Sequence, residues 1–162
     1  MRAAPDTPLA CALTYAAQGL RVFPTNGRRE PLTKNGFYAG TADQEQIKTW
    51  WAKWPHADIG CTVPDGVAIL DLDCKNGKNG RAAYQRLENV DPESVEAPMA
   101  SSPTGGLHIW TNTNGRRLKQ VSGYEEQGID LRLGGRGYVV LPGPNNGRQW
   151  RKPLSCRRRR RG

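Results

Sequence analysis

Asp71 and Asp73 close an apolar run, Val67-Ala68-Ile69-Leu70, with a single residue between them. In an extended strand, residues i and i+2 leave the same face with Cα atoms about 6.5–7 Å apart. Two carboxylates at that spacing can share or bridge divalent cations. Phosphoryl transfer uses such a pair when two metals about 3.5–4 Å apart activate an attacking hydroxyl and neutralise the leaving group. The ordinary alternative is a solvated strand end entering a turn, where Asp, Asn and Gly gather. A calcium loop over Asp71–Gly77 fails in detail. Lys75 stands at the third ligand position, the glycine comes one place late, and Ala82 replaces the bidentate glutamate.

A second chemical feature is Ser102-Pro103-Thr104-Gly105-Gly106-Leu107-His108. Paired glycines before a strand let backbone N–H groups approach a phosphate, and His108 projects beside them. The same pattern also serves as a plain tight turn. No GxxxxGK segment occurs, so an ATPase-type phosphate loop is absent. A third feature is Asp130, in a run whose alternate residues Ile129, Leu131 and Leu133 are apolar, with Arg132 on its own face. A charged alternate face is ordinary for a half-exposed strand. Asp130 gains chemical meaning only as a third ligand near Asp71 and Asp73.

These residues need elements to carry them. Thr7-Pro8 predicts a helix start, followed by Leu9, Ala12, Leu13, Ala16 and Ala17 at helical spacing and Gly19 as the stop. Leu20–Phe23 reads as a short strand ended by Pro24, and residues 24–40 as a loop. Thr41-Ala42-Asp43-Gln44 has capping-box character. Behind it, Ile47, Trp50, Trp51 and Trp54 share one helical face, which makes the tryptophans core residues rather than a stacking surface. Strands are expected at Ile59–Val63, Val67–Asp73 and Leu107–Thr111, with a helix over Asn79–Glu88. Ile129–Leu133 and Tyr138–Leu141 read as a final strand pair around Gly134–Gly137. The absence of a regular βαβ rhythm argues for an α+β sheet domain.

With 162 residues, the chain has the length of one domain. The net charge of +9 favours a polyanionic partner, but Arg157–Arg161 supply five of those charges, leaving +4 for the rest. The arginine run either binds phosphate backbones without sequence preference or is an unselected end without function, and its composition leaves both readings open. Cys11, Cys61, Cys74 and Cys156 form no CxxC half-site, so a structural zinc is not supported. No stretch is apolar enough to span a membrane, and the N-terminal run broken by Thr14, Tyr15 and Gln18 does not read as a secretory signal. A cytoplasmic setting is expected.

Taken in order, these motifs resemble the bifunctional primase/polymerase N-terminal family of the archaeo-eukaryotic primase superfamily. That family's first motif, acidic-x-acidic at a strand end, is matched by Asp71-Leu72-Asp73. Its second, a small residue and Gly followed by His, is matched by Thr104-Gly105-Gly106-Leu107-His108. Its third, a hydrophobic residue then Asp, is matched by Ile129-Asp130 with Leu131-Arg132 behind it. Similar flanks are Tyr15–Gly19 into Val22-Phe23-Pro24, Trp50-Trp51 with Trp54-Pro55 and Ile59-Gly60, and Gly137–Pro142 with Gly147 and Trp150. The similarity covers about residues 9–152.

The resemblance implies an α+β catalytic core with an RRM-like mixed or antiparallel sheet packed by helices. It implies metal-dependent, template-directed nucleotidyl transfer, a DNA primase/polymerase activity in replication of a mobile element or chromosome. Asp71, Asp73 and Asp130 would be the catalytic residues and would hold Mg²⁺ or Mn²⁺, with His108 on the incoming triphosphate. Gly105 and Gly106 would shape that pocket, and Arg132 and Lys75 would neighbour the phosphates. The implied partners are a DNA template with its primer, dNTPs or NTPs, and a replicative helicase on a separate chain, with no membrane. The expected organisation is a catalytic domain over 1–152 and a basic, disordered tail over 153–162. Relatives often continue into a helicase or other module and some carry a zinc stem, so extension is expected ahead of autonomous priming. The alternatives are an inactive or truncated nucleic-acid-binding module of the same fold, and a metal-dependent nuclease. The full Asp71, Asp73, His108, Asp130 set argues against a module that has lost turnover but not against a truncated fragment, and the Gly-Gly-Leu-His placement argues against the nuclease.

Overall fold

Thr7 accepts a hydrogen bond from the amide of Ala10 at 3.1 Å through its hydroxyl, and Pro8 fills the first helical position of α1 (Pro8–Ala17). Gly19, at a left-handed φ of 87°, ends the helix and turns the chain into β1 (Val22–Thr25). The computed structural model describes residues 6–119 and 124–154. The arginine run therefore lies outside the described residues. Pro24 does not end β1 as its type suggests. β1 is an edge strand, and an edge tolerates a residue without an N–H.

α2 (Gln44–Lys53) starts from Asp43, whose carboxylate accepts from the Gln46 amide at 3.3 Å. The cap thus falls two residues beyond Thr41, because the Thr41 backbone is already paired with Val22 on β1. Ile47 and Trp51 are buried, and Trp50 and Trp54 pack against the same cluster. The Trp51 indole N–H donates to the Ala57 carbonyl at 3.1 Å, so the stripe serves the core, as its spacing predicts.

Two antiparallel sheets follow, and the α+β class holds. β2 (Asp58–Thr62) lies between β1 and β7 (Tyr138–Val140) in a three-stranded sheet. The second sheet has five strands in the order β6-β3-β5-β4-β8. Its members are β3 (Val67–Leu72), β4 (Met99–Ser101), β5 (Leu107–Asn112), β6 (Ile129–Leu133) and β8 (Gln149–Lys152). β4 and β8 are too short to show the period-2 pattern, and the sequence pattern misses both. α3 (Gly80–Glu88) covers one face of this sheet.

The expected β6–β7 pair does not form. β6 pairs with β3 and β7 with β2, in different sheets. The intervening glycine turn bonds to the parallel crossover from β2 to β3. The Gly134 amide donates to the Val67 carbonyl, the Gly135 amide to Val63, and the Val63 amide to Gly137. The two connections change sheets side by side.

The five-stranded sheet has two different faces. Leu72, Leu107, Ile109, Ile129 and Met99 form a buried cluster with Ala83 of α3. On the other face, Ile69 and Trp110 are opposed across β3 and β5 and join the core beneath α1, α2 and the smaller sheet. One step further along that face, the row changes from apolar to polar: His108, Asp71 and Asp130 stand in register on β5, β3 and β6.

Beyond this row, the chain leaving β3 is clamped. The Asp73 amide donates to the Gly128 carbonyl at 2.7 Å, and the Gly80 amide donates to the Asp73 carbonyl at 2.8 Å. A Cβ on Gly80 would strike the backbone carbonyl of Gly128, which cannot swing aside. We expect Gly80→Ala to cost about 3 kcal/mol, the upper end of overpacking effects. Urea denaturation checks this, and an unchanged midpoint would show that the contact is not tight.

Candidate active-site cleft

The polar row opens into a cleft of about 380 Å³. Asp71 is centred between two neighbours. His108 Nε2 lies 3.4 Å from its Oδ1, and Arg132 reaches its Oδ2 at 3.5 Å. The same guanidinium lies 3.0 Å from Asp130 Oδ2, so Arg132 bridges two carboxylates that face each other across β3 and β6. The other oxygen of Asp130 accepts from the Leu131 amide at 2.9 Å. Burial alone would push the Asp71 carboxyl up. The hydrogen bond and charge of His108, followed by the charge of Arg132, outweigh it and hold Asp71 below the ordinary carboxylate range. Asp71 is therefore an anion at neutral pH.

Asp73 lines the cleft from the strand exit, with Lys75 just beyond it. Asp130 stands one strand away, behind Arg132, and does not line the cleft itself. The structure thus brings Asp71, Asp130, His108 and Arg132 into direct contact and places Asp73 beside them.

Gly105 and Gly106 have a different setting. They belong to the hairpin turn between β4 and β5, where the Gly105 amide donates to the Ser102 carbonyl and the Gly106 amide to the Ser102 hydroxyl. Both N–H groups are used within the turn, and neither glycine lines the cleft; Ser102 and Thr104 do. Gly106 also lies so close to β3 that a Cβ would sit 2.6 Å from the Leu72 carbonyl. This turn locks β5, and with it His108, against β3.

The opposite wall is basic and was not singled out in the sequence. Arg28 and Arg29 come from the turn after β1. Asn26 builds that turn, its side-chain oxygen accepting from the amides of Arg28 and Glu30 at 2.9 and 3.0 Å. Arg29 takes a left-handed φ of 65°, and its carbonyl accepts from the Tyr138 hydroxyl at 2.8 Å. Arg148 approaches from the segment before β8. Burial and the charge of Arg29 push its guanidinium pKa down, while Asp71 and Asp58 oppose them. None of Arg28, Arg29 and Arg148 forms an ion pair among the described residues. An arginine doublet in an Asn-Gly turn was a legible hint of an anion site. Arg148 carried none.

The donor set suits a hard divalent cation, since carboxylate oxygens are what Mg²⁺ and Mn²⁺ take. The Asp71–Asp130 pair already binds one cation, the guanidinium of Arg132. Among the described residues no three acidic, His or Cys side chains are gathered closely enough to enclose an ion as they stand. The chemistry of the site fits a metal, and Arg132 supplies positive charge between the carboxylates.

An α+β domain with an acidic strand-end row facing a basic wall is suited to phosphate-bearing substrates. The chain matches the family described as bifunctional DNA primase/polymerase, N-terminal, over residues 12–158, and it belongs to that family. No curated protein resembles it closely enough to count as a match. Among the described residues no helix is long and apolar enough to cross a membrane.

Arg132 is partly exposed, so solvent limits each of its ion pairs to about 1 kcal/mol or less. Arg132→Ala should lower the melting temperature of the metal-free protein by about 2–4 °C, by leaving Asp71 and Asp130 opposed. Added Mg²⁺ or Mn²⁺ should raise the melt of the variant more than that of the wild type. Equal shifts in calorimetry would argue against a shared cation position.

Proposed function

We propose that this domain performs metal-dependent, template-directed nucleotidyl transfer on DNA, extending a primer with dNTPs or NTPs. The observation that carries the reading is the His108–Asp71–Asp130 row with Asp73 beyond it, set opposite Arg28, Arg29 and Arg148. Membership of a primase/polymerase family supports it.

Asp71, Asp73 and Asp130 would hold Mg²⁺ or Mn²⁺. When bound, such ions favour the deprotonated primer 3′-hydroxyl and neutralise the leaving pyrophosphate. The rest of the chemistry falls to the chain itself. Asp71 is kept anionic by His108 and Arg132, so it is ready to bind a cation without first losing a proton. His108, Lys75 and Arg148 would fix the triphosphate, each facing the cleft. Arg132 can turn from the carboxylates to a phosphate oxygen, exchanging one anion for another. Gly105 and Gly106 would shape the pocket indirectly, through the turn that presents Ser102 and Thr104. Positioning and charge neutralisation are the means by which a protein accelerates this reaction.

Primer extension by the purified chain on a short primed template, with Mn²⁺ or Mg²⁺ and dNTPs, tests the reading. Extension should vanish in Asp71→Ala with Asp73→Ala, while the thermal melt stays largely intact, because Arg132 still pairs with Asp130. Strand cutting in place of extension would make the domain a nuclease. DNA binding with neither activity would make it a binding module.

A further inference from the structure

The basic wall of the cleft continues into a stack of aromatic rings that the reaction described above does not use. Tyr138 lines the cleft, and its ring stacks on Phe37 with centroids 5.6 Å apart and planes 28° from parallel. Phe37 stacks in turn on Tyr38, at 4.3 Å and 30°. The inner end is anchored in the core by Phe23, whose ring meets Tyr138 in a T-shaped contact with centroids 5.4 Å apart. At the outer end Tyr38 is 73% exposed, and no ring other than Phe37 stacks on it among the described residues.

The stack is fixed in place. The Phe37 carbonyl accepts from the buried Thr62 hydroxyl at 2.6 Å, and the Thr33 hydroxyl donates to the Gly36 carbonyl at 2.6 Å. The Tyr138 hydroxyl ties the same stack to the Arg28–Arg29 turn through the Arg29 carbonyl. A rigid aromatic face open to solvent is thus coupled to two arginines that have no carboxylate partner among the described residues.

The geometry points to a platform for single-stranded template, a nucleobase stacking on Tyr38 while Arg28 and Arg29 meet the adjacent phosphates. The chemistry suits the task. A template reader must accept every base, and stacking on an aromatic face is sequence-tolerant where hydrogen-bond readout is not. Arginines on the backbone add affinity without base preference. The inference rests on the template-directed reading above and adds where the strand leaves the cleft.

Fluorescence anisotropy of the full chain with a short labelled oligothymidylate tests it, alongside a base-free analogue with the same phosphates. Tyr38→Ala should weaken oligothymidylate binding about tenfold, as loss of one stacked base does. Tyr38→Phe should bind like wild type, and the base-free strand should not distinguish Tyr38→Ala from wild type. Unchanged oligothymidylate binding by Tyr38→Ala would overturn the platform, and so would an equal loss on the base-free strand. Wild-type primer extension, run in parallel, separates the two readings. Extension with Tyr38-independent binding sinks the platform alone, and Tyr38-dependent binding without extension leaves the platform standing and sinks the enzyme.

Discussion

Two carboxylates directly opposite each other on neighbouring strands repel, and a sheet that carries them needs a cation within reach. Asp71 and Asp130 are such a pair, in register across β3 and β6. Arg132 meets the need from two residues further along β6, where it stands opposite Ile69 on the same face, and its guanidinium reaches both acids. His108 adds a contact from β5 on the other side. The row exists only where packing allows it. One step away the same face holds Ile69 against Trp110 in the core, so the charged groups occupy the first place where the sheet emerges from beneath the second layer.

That second layer completes the site. The smaller sheet and its flanking turns supply Arg28, Arg29 and Tyr138 to the opposite wall. The paired crossovers through Val63–Val67 and Gly134–Gly137 bond to each other, which links the sheet bearing the acids to the sheet that carries the basic turn. Asp73 is set by a different device, a backbone clamp between Gly80 and Gly128 that admits no side chain. The side chains of the cleft are thus supported by main-chain contacts on both sides.

What the sequence made legible was local. The Asp71–Asp73 spacing follows from the two-residue period of a strand, and Ile47 and Trp51 from the turn of a helix. Thr7-Pro8 announced α1 because a cap acts within four residues. What escaped depends on partners far along the chain. The assignment of β6 and β7 to different sheets rests on hydrogen bonds to Val63 and Val67, some seventy residues earlier. β4 is a strand only because it pairs with β5 and β8, and β8 only because it pairs with β4. The Gly105-Gly106 pair could be a phosphate cradle or a plain tight turn from its composition. Its amides are used by Ser102, a competition that only the folded turn reveals. Arg148 reaches the cleft by topology alone.

The role of Arg132 has a consequence for how such a site can fold before its ligands arrive. On the reading proposed above, an acidic row that binds cations is at its least stable without them, because like charges then face each other without compensation. An internal guanidinium removes most of that cost, provided that it can leave when a metal or phosphate competes. Arg132 meets both conditions. It contacts both acids, yet its side chain is 42% exposed, so water can take up the released guanidinium and the exchange costs little. A lysine in its place would offer a single point charge rather than a fork, and would hold the two acids less evenly. On the proposed reading, the site is arranged around a counter-charge that is firm enough to hold the two acids together and exposed enough to be displaced.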